Sequence, residues 1–233
     1  MKLAIFSDIH GNLEALTAII DDIKNKEITE IYALGDTIAI GPSSKLCLET
    51  IVRENIRMTK GNHEMYYLIG TEHYVNMSEN EAKHHKWIRM QLNEHSKRFV
   101  ESCPLEYTYE AHEKQIKMMH FAHDGVDFAN STDSKNISDM YPQTGYLIVY
   151  GHEHDGTELK EVNESHYLGI GSSGCRKDNQ TFYTIIELTD EGFKIEKVWV
   201  TYNRDQFVDK MKSIEYPEKD FVSRIFFGIE KGE

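Results

Sequence analysis

Short apolar runs alternate with amphipathic stretches over the first sixty residues of the chain. The runs at 2–6, 30–34 and 56–59 are brief, and each is cut off by polar residues, so they predict buried strands. Apolar residues recur at helical spacing from Leu13 onward, and Asn12 is placed to cap that helix. This alternation of strand and helix predicts βαβ units and an at least partly parallel sheet.

The stretch from about 66 to 104 differs in composition and predicts a helical insertion. Ser78 followed by Glu81 resembles a capping box, and aromatic and apolar residues mark one side of a polar helix. We expect the insertion to pack through its aromatics and to form a rim or lid, with its histidines on a solvated helix face. These histidines are His84, His85 and His95.

From residue 105 onward the chain is rich in strand patterns. The expected strands are 106–110, 115–122, 146–150, 166–170, 182–188 and 193–200. The segment 205–233 predicts two helices separated near Pro217. No repeat, low-complexity tract or linker divides the sequence, so we expect one domain over 1–233 with the insertion at about 66–104.

Composition narrows the class of protein. The formal net charge of -13 at pH 7 argues against non-specific nucleic-acid binding, for which a basic face supplies most of the affinity. Cys47, Cys103 and Cys175 are widely spaced and imply neither a disulfide framework nor a zinc ribbon. The first apolar run is too short for a signal peptide, and no stretch approaches the ~20 apolar residues of a membrane helix. We therefore expect a soluble cytoplasmic protein without a membrane partner, and the oligomeric state stays open.

Polar residues of the metal-ligand type follow the predicted strands, at the point where each strand ends. In open α/β sheets these loops are the usual place for ligands and catalytic groups. Each motif alone is weak, but five of them in this order form a strong signal. They are Asp8-Ile9-His10, Gly35-Asp36, Gly61-Asn62-His63-Glu64, His123 and Gly151-His152-Glu153-His154.

This series of motifs resembles that of the calcineurin-like metallophosphoesterase superfamily, and the resemblance runs the length of the chain. Two further segments, 35–42 and 171–176, are similar to the GD…GP loop and the Gly-Ser-x-Gly-x-x-Arg turn of its small bacterial and archaeal phosphoesterase branch. The resemblance implies an α/β fold, a four-layer α/β/β/α sandwich of two mixed β-sheets flanked by helices.

The resemblance also implies a phosphoesterase that hydrolyses a small phosphorylated substrate, either a phosphomonoester or a phosphodiester. Two divalent metal ions (Mn, Fe or Zn), roughly 3.5–4 Å apart, would clamp the phosphate, and a hydroxide between them would attack phosphorus. The implied ligands are Asp8, His10 and His154 for the first ion, Asn62, His123 and His152 for the second, and Asp36 as the bridge. His120 competes with His123, and we favour His123 because it stands at the predicted strand end, whereas His120 lies inside an apolar run.

Two residues are assigned to the substrate rather than to a metal. His63 follows a metal ligand and is placed to hydrogen-bond the phosphate or to protonate the leaving oxygen. Arg176 either contacts the substrate or pairs with a surface carboxylate. Phosphoprotein phosphatases and the related bis(nucleosyl)-tetraphosphatases carry Asp and Arg where this chain has Ala39 and Ile40, so those branches are disfavoured. The partner that orients His63 stays open.

The insertion suggests a hypothesis about the substrate. It begins three residues after His63, and Tyr66, Tyr67 and Tyr74 give its first part aromatic surface. Either these tyrosines anchor the insertion to the sandwich, or the insertion forms one wall of the substrate cleft and sets the leaving-group preference.

Two other classes of function compete with a phosphoesterase of small substrates. A non-catalytic scaffold of the same fold binds protein partners and lacks the catalytic histidine, which this chain retains as His63. A repair-type nuclease would carry a cationic track for DNA, which the acidic composition disfavours. We therefore expect a hydrolase and keep the scaffold as the alternative.

Overall fold

The first strand of the chain lies at the centre of a five-stranded sheet. The computed structural model describes residues 2–73, 77–129 and 136–230. The strands are β1 Lys2–Phe6, β2 Glu30–Ala33, β3 Arg57–Met58, β4 Glu106–Ala111, β5 Lys114–Met119, β6 Tyr146–Tyr150, β7 Lys160–Val162, β8 Ser165–Gly169, β9 Gln180–Thr189 and β10 Gly192–Thr201. The helices are α1 Leu13–Asn25, α2 Ser44–Arg53, α3 Asn62–Ile69, α4 Glu79–Gln91, α5 Glu94–Ser102, α6 Ile137–Met140, α7 Arg204–Ser213 and α8 Lys219–Phe227, with a 3-10 turn at Thr71–His73.

The strands form two mixed sheets. The first has the order β10-β9-β1-β2-β3, in which β1, β2 and β3 are parallel and β9 pairs antiparallel with both β1 and β10. The second has the order β4-β5-β6-β8-β7, in which β5, β6 and β8 are parallel and both edge strands are antiparallel. The predicted fold class, two mixed sheets flanked by helices, is confirmed.

Strand β1 is apolar throughout because both of its faces are buried. Leu3 and Ile5 belong to the core between the two sheets, where they join residues of the second sheet such as Met118 and Val149. Ala4 and Phe6 point the other way, into the core between the first sheet and its helices. A strand covered on both faces loses the alternation of polar and apolar residues that a half-exposed strand shows.

The predicted strands agree with the structure except at their ends and at one short strand, whereas the single polar helix predicted beyond Ser78 is divided into α4 and α5. The edge strand β7 was not predicted, because its sequence Lys-Glu-Val carries two charged side chains that point to solvent. The prediction 115–122 runs three residues past the end of β5 at Met119, and this error affects the assignment of the site. In the described residues, the helices are too short or too polar to cross a bilayer.

Candidate metal centre

The predicted site residues meet where the parallel strands of both sheets end. Asp8 and His10 follow β1, and Asp36 follows β2. His152 and His154 follow β6 in the second sheet. Because β1 runs parallel to β2 and β5 runs parallel to β6, their carboxyl ends bring these loops to one place.

Several of these residues adopt a left-handed backbone conformation. The φ angle is 53° at Asp8, 48° at His10, 48° at Asp36 and 64° at His152. Such a conformation costs about 1–3 kcal/mol for a residue other than glycine, and it persists only where the surroundings hold it. Here the loops hold each other, since Asp8 N donates to Gly35 O at 3.1 Å and His10 N donates to Asp36 O at 2.9 Å.

Two glycines let the loops approach closely. A Cβ atom on Gly61 would lie 2.2 Å from Asp36 Oδ1, and one on Gly151 would lie 2.0 Å from Ser7 Oγ. Glycine is therefore required at both positions for the carboxylates to reach their places. His63 N donates to Asp36 Oδ1 at 3.0 Å and His152 N donates to Asp8 Oδ2 at 3.1 Å, which fixes the orientation of both carboxylates.

The first group of ligand atoms combines one carboxylate with two imidazoles. The Nε2 atoms of His10 and His154 are 3.0 Å apart. Asp8 Oδ1 lies 3.7 Å from the first of these nitrogens and 3.6 Å from the second. These are the three residues predicted for the first ion, and the structure brings them together.

The second group is formed around Asn62 and contains His120. His120 Nε2 lies 2.9 Å from Asn62 Oδ1 and 3.4 Å from Asp36 Oδ2. His152 Nδ1 lies 3.1 Å from the same amide oxygen. Asp36 Oδ2 is also 3.8 Å from His10 Nε2, so this carboxylate lies between the two groups, as predicted for a bridge.

The structure does not bring His123 to the second ligand group, and His120 lies there instead. Strand β5 ends at Met119, so His120 is the first residue after the strand. The next two residues, Phe121 and Ala122, are apolar because they pack in the outer core of the second sheet rather than because they continue the strand. His123 comes three residues further on, and its Nε2 lies 3.3 Å from a Glu106 carboxylate oxygen, away from the ligand groups.

The arrangement of hydrogen bonds fits a cation at both groups. His10 Nδ1 and His120 Nδ1 must donate to the carbonyl oxygens of Ile38 and Leu34, because a carbonyl oxygen only accepts. In a neutral ring with this tautomer the lone pair is on Nε2, and both Nε2 atoms lie beside carboxylate or amide oxygens, which are acceptors as well. Asp8 Oδ1 is fully buried and has no hydrogen-bond partner among the described residues.

Acceptors that converge in this way repel one another unless positive charge lies among them. Histidines that bind metals usually donate their second ring N–H to a backbone carbonyl or a carboxylate, as His10 and His120 do. The residues present thus fit divalent metal ions of the kind bound by nitrogen and oxygen ligands.

His63 lies in the first turn of α3, beside the two ligand groups. Its Nε2 lies 3.8 Å from Asp36 Oδ2, and its ring meets the His10 ring edge to face at 5.1 Å between centroids. Burial, followed by the nearby imidazoles of His85 and His10, lowers the pKa of His63 well below the usual value for histidine. Its Nδ1 has no hydrogen-bond partner among the described residues.

The buried carboxylate of Glu64 organises the two loops that carry Asp36 and Asn62. Its Oε2 accepts from the backbone N–H groups of Asp36 and Gly61, both at 2.8 Å. Its Oε1 accepts from Thr37 N at 3.0 Å and Ile38 N at 3.3 Å. The sequence shows Glu64 in the Gly-Asn-His-Glu motif, but only the structure reveals that it acts on the backbone.

Replacing Glu64 by Gln should lower the free energy of unfolding by about 2–3 kcal/mol, because a buried N–H pair without acceptors costs this much. The amide NH₂ of Gln would face two backbone donors in place of an acceptor. Urea denaturation of the metal-free protein measures the loss. The matched control is Glu49→Gln on the exposed face of α2, and equal stabilities for both variants would contradict this role of Glu64.

The buried histidines of the site resist protonation in the metal-free protein. Burial, together with the neighbouring histidine His120, lowers the pKa of His152 to about 4. Burial and the imidazole of His10 lower the pKa of His154 to about 4 as well. A histidine in an unfolded chain has a pKa near 6.5, so it takes up a proton in a range where the folded protein does not.

The stability of the metal-free protein should therefore fall as the pH drops from about 6.5 toward about 4, and it should not change for this reason above pH 6.5. Each of the two histidines accounts for as much as about 2 kcal/mol of the loss at pH 5. Urea denaturation at pH 7, 6 and 5 measures it. His152→Gln should show a smaller drop than the wild type, and identical drops would argue against this origin.

Arg176 lies outside the site. Its Nη2 lies 3.2 Å from an Asp178 carboxylate oxygen, and its Nε donates to Gln180 O at 3.2 Å. The guanidinium carbon is 5.2 Å from the centre of the Trp199 ring. Of the two alternatives for Arg176, the structure thus favours pairing with a surface carboxylate over contact with the substrate.

The histidines of α4 are not on a solvated face. His84 is buried, accepts from Ile40 N at 2.9 Å through Nε2, and donates from Nδ1 to Pro217 O at 3.2 Å. His85 is buried with its ring 4.9 Å from that of His63, and His95 alone is exposed as expected. The expectation failed because the partners that bury this helix face come from distant parts of the chain.

A cavity of about 390 Å³ is lined in part by His63. One side of it is apolar, formed by Ile40, Phe221, Val222 and Phe226. Helix α4 and its N-cap residue contribute Ser78, Glu81, His84 and His85. Phe226 also contacts the His154 ring, with 5.6 Å between centroids. The cavity is therefore adjacent to both the candidate metal centre and His63.

The two described tyrosines of the insertion, Tyr66 and Tyr67, occupy different surroundings. Tyr67 is buried, and its hydroxyl donates to Asn93 O at 3.4 Å, so it anchors α3 to the start of α5. Tyr66 lies against the rings of His63 and His85. Tyr74 lies outside the described residues.

The amino-acid sequence is similar to a known protein family and to a protein from another organism. A sequence model of the calcineurin-like phosphoesterase superfamily domain matches residues 1–191. The chain belongs to this superfamily, which confirms the resemblance noted from the motifs. It is 28% identical over 242 residues to an uncharacterized protein of Methanocaldococcus jannaschii, a match that covers 97% of this chain and 98% of that protein.

Solved structures show the same fold. A metallophosphoesterase from Sphaerobacter thermophilus superposes with a TM-score of 0.69 at 22% identity, covering 98% of this chain and 100% of that one. A hypothetical protein from Pyrococcus horikoshii OT3 superposes with a TM-score of 0.75 at 15% identity, covering 99% of both chains. At these identities the likeness concerns the fold alone.

Proposed function

We propose that this protein is a metal-dependent phosphoesterase that hydrolyses a phosphomonoester or a phosphodiester. One observation carries the proposal: two groups of metal-ligand side chains meet at Asp36 Oδ2, which lies 3.8 Å from His10 Nε2 and 3.4 Å from His120 Nε2. Membership of the calcineurin-like phosphoesterase superfamily supports the reaction class.

The two groups of side chains indicate which residues would bind each metal ion. Asp8, His10 and His154 would hold one ion, Asn62, His120 and His152 would hold the other, and Asp36 would be shared. Carboxylate, amide and imidazole ligands suit Mn, Fe or Zn. When bound, divalent ions neutralise the charge of phosphate oxygens and lower the pKa of a coordinated water.

The protein's own residues determine how the ester is oriented. His63 lies beside Asp36 and also borders the cavity, so an ester bound at the centre can direct its leaving oxygen toward the His63 ring. A neutral imidazole donates one hydrogen bond, and His63 can give this proton to the leaving oxygen as the P–O bond breaks. The alcohol that leaves would then occupy the cavity.

The lining of the cavity indicates which alcohols fit. Its volume of about 390 Å³ accommodates a ring-sized organic group. Glu81 and Glu218 border it, and none of the described residues that line it is a lysine or an arginine. We infer that the leaving group is an uncharged organic group with a flat apolar surface, and that a second phosphate is disfavoured there.

Phe221→Ala should raise KM for an aryl or nucleoside ester by about 2–10-fold, because stacking on an aromatic ring contributes about 0.5–1.5 kcal/mol. KM for methyl phosphate should change little. Phe221 is 50% exposed, so its loss does not open the core. Ile225→Ala is the matched control, since Ile225 is 44% exposed on the same helix and does not line the cavity. Equal effects of both variants would rule out a specific contact.

A panel of chromogenic phosphomonoesters and phosphodiesters, assayed with Mn²⁺, Co²⁺ and Zn²⁺ added to the chelator-treated protein, tests the proposed function. We expect hydrolysis of at least one ester class that depends on the added metal. A folded, metal-loaded protein that hydrolyses no member of the panel would contradict the proposal and favour the non-catalytic scaffold.

A further inference from the structure

The turn formed by residues 171–176 is tied to the loop that follows β1. Ser173 N donates to Ser7 O at 3.0 Å, and Gly174 N donates to Asp8 O at 3.0 Å. The Ser172 hydroxyl donates to the same Asp8 carbonyl at 2.8 Å. This turn resembles a family motif, but Arg176, its last residue, points away from the site.

Gly174 brings the two loops into direct backbone contact. A Cβ atom on Gly174 would lie 1.9 Å from Ile9 O, so only glycine fits there. Asn12 Nδ2 donates to Gly174 O at 2.8 Å from the other side. The backbone of the next residue, Cys175, is therefore fixed relative to Asp8 and His10, and its N–H donates to Ser172 Oγ at 2.9 Å.

The Cys175 thiol shares the space of the first ligand group. Its Sγ and one ring nitrogen each of His10 and His154 all lie within 4.8 Å of one another. The fully buried and unpartnered Asp8 Oδ1 lies 3.7 Å from His10 Nε2 and 3.6 Å from His154 Nε2. Thiol, imidazole and carboxylate are all ligand types that zinc sites in proteins use.

We propose that Cys175 Sγ is an additional protein ligand of the metal ion that Asp8, His10 and His154 would hold and that would share Asp36 with the second ion. As the sulfur–metal bond forms, the thiol releases its proton to solvent, and no electron is transferred. This inference rests on the metal centre of the proposed function, and it concerns which ion that centre selects.

A thiolate makes the two halves of the centre chemically different. Soft sulfur ligands favour Zn, Co or Fe over Mn, whereas the group around Asn62, His120 and His152 offers only nitrogen and oxygen. We therefore expect the Asp8 half to select Zn or Fe from a mixture with Mn. Cys175→Ser should weaken Zn²⁺ binding at this half by at least about 10–100-fold and change Mn²⁺ binding less.

Cobalt substitution tests the sulfur–metal bond directly. The metal-free protein is titrated with Co²⁺, and the near-ultraviolet band for charge transfer from thiolate to cobalt is recorded together with bound cobalt per chain. We expect the band in the wild type and its loss in both Cys175→Ser and Cys175→Ala. The matched controls are Cys47→Ala and Cys103→Ala, because these other two cysteines of the chain lie in the hydrophobic core.

The outcomes separate this inference from the proposed function. The band in the wild type, lost only on changing Cys175, supports the inference even if no ester is hydrolysed. If the wild type binds cobalt but shows no band, the inference is overturned. The proposed function is then still decided by the ester assay alone. The inference is also overturned if the wild type binds no cobalt. It is overturned as well if both Cys175 variants keep the band while circular dichroism shows that they are folded.

Discussion

Replacing His63 by alanine should lower kcat for ester hydrolysis by about 10²–10⁴-fold while the protein keeps its full metal content. His63 Nε2 lies 3.8 Å from Asp36 Oδ2, and its ring also lies within ligand distance of His10 and Asp36. The two ligand groups assigned above are complete without it, so we expect His63 to act on the ester rather than on a metal ion. The side chain borders the cavity, where the leaving oxygen is expected. Its loss therefore removes a proton donor and a phosphate contact but no metal ligand.

Metal analysis and steady-state kinetics on the same preparation measure both parts of this prediction. His95→Ala is the matched control, since His95 is exposed on α5. An ester with a leaving group of low pKa needs less protonation, so the defect of His63→Ala should be smaller with such an ester. A variant that keeps full activity, or one that loses its metal, would show that His63 has a different role.

Replacing Asp36 by alanine should weaken binding of both metal ions, by more than about 100-fold, because a shared ligand serves both groups. Burial, then the nearby carboxylates of Glu64 and Asp8, raises the pKa of Asp36 well above the usual value in the metal-free protein. Divalent ions would relieve this repulsion. The wild type should therefore gain much thermal stability on metal addition, and Asp36→Ala should gain little.

Calorimetric titration with metal and thermal unfolding with and without metal measure these effects. Asp190→Ala is the matched control, since this exposed carboxylate pairs with His112 far from the site. A variant without Asp36 that still binds one ion with wild-type affinity would show that the two groups are independent and that Asp36 does not bridge them.

The positions of Asp8, Asp36 and His152 could be predicted because each follows an apolar strand directly. A buried strand is visible in a sequence as a short apolar run, and parallel strands bring their carboxyl ends together. The family motifs then supplied the order of ligands. The sequence therefore predicted which side chains meet here only where the apolar run ends at the same residue as the strand.

His120 shows where this reasoning fails. Phe121 and Ala122 continue the apolar run beyond the end of β5, and a sequence does not distinguish residues that are apolar within a strand from residues that pack after it. The roles of Glu64 and Cys175 depend on backbone groups and loops brought together by the fold. Local patterns carry no information on such long-range contacts.

The central claim is that ester hydrolysis requires metal ions at the Asp36 centre. Its most direct test is a titration of the chelator-treated protein with Mn²⁺ and, in parallel, with Co²⁺, following the rate of ester hydrolysis against bound metal per chain. We expect no hydrolysis without metal and a rate that rises to a plateau at about two ions per chain. Full activity in the metal-free protein, or no activity at saturation with either ion, would contradict the claim.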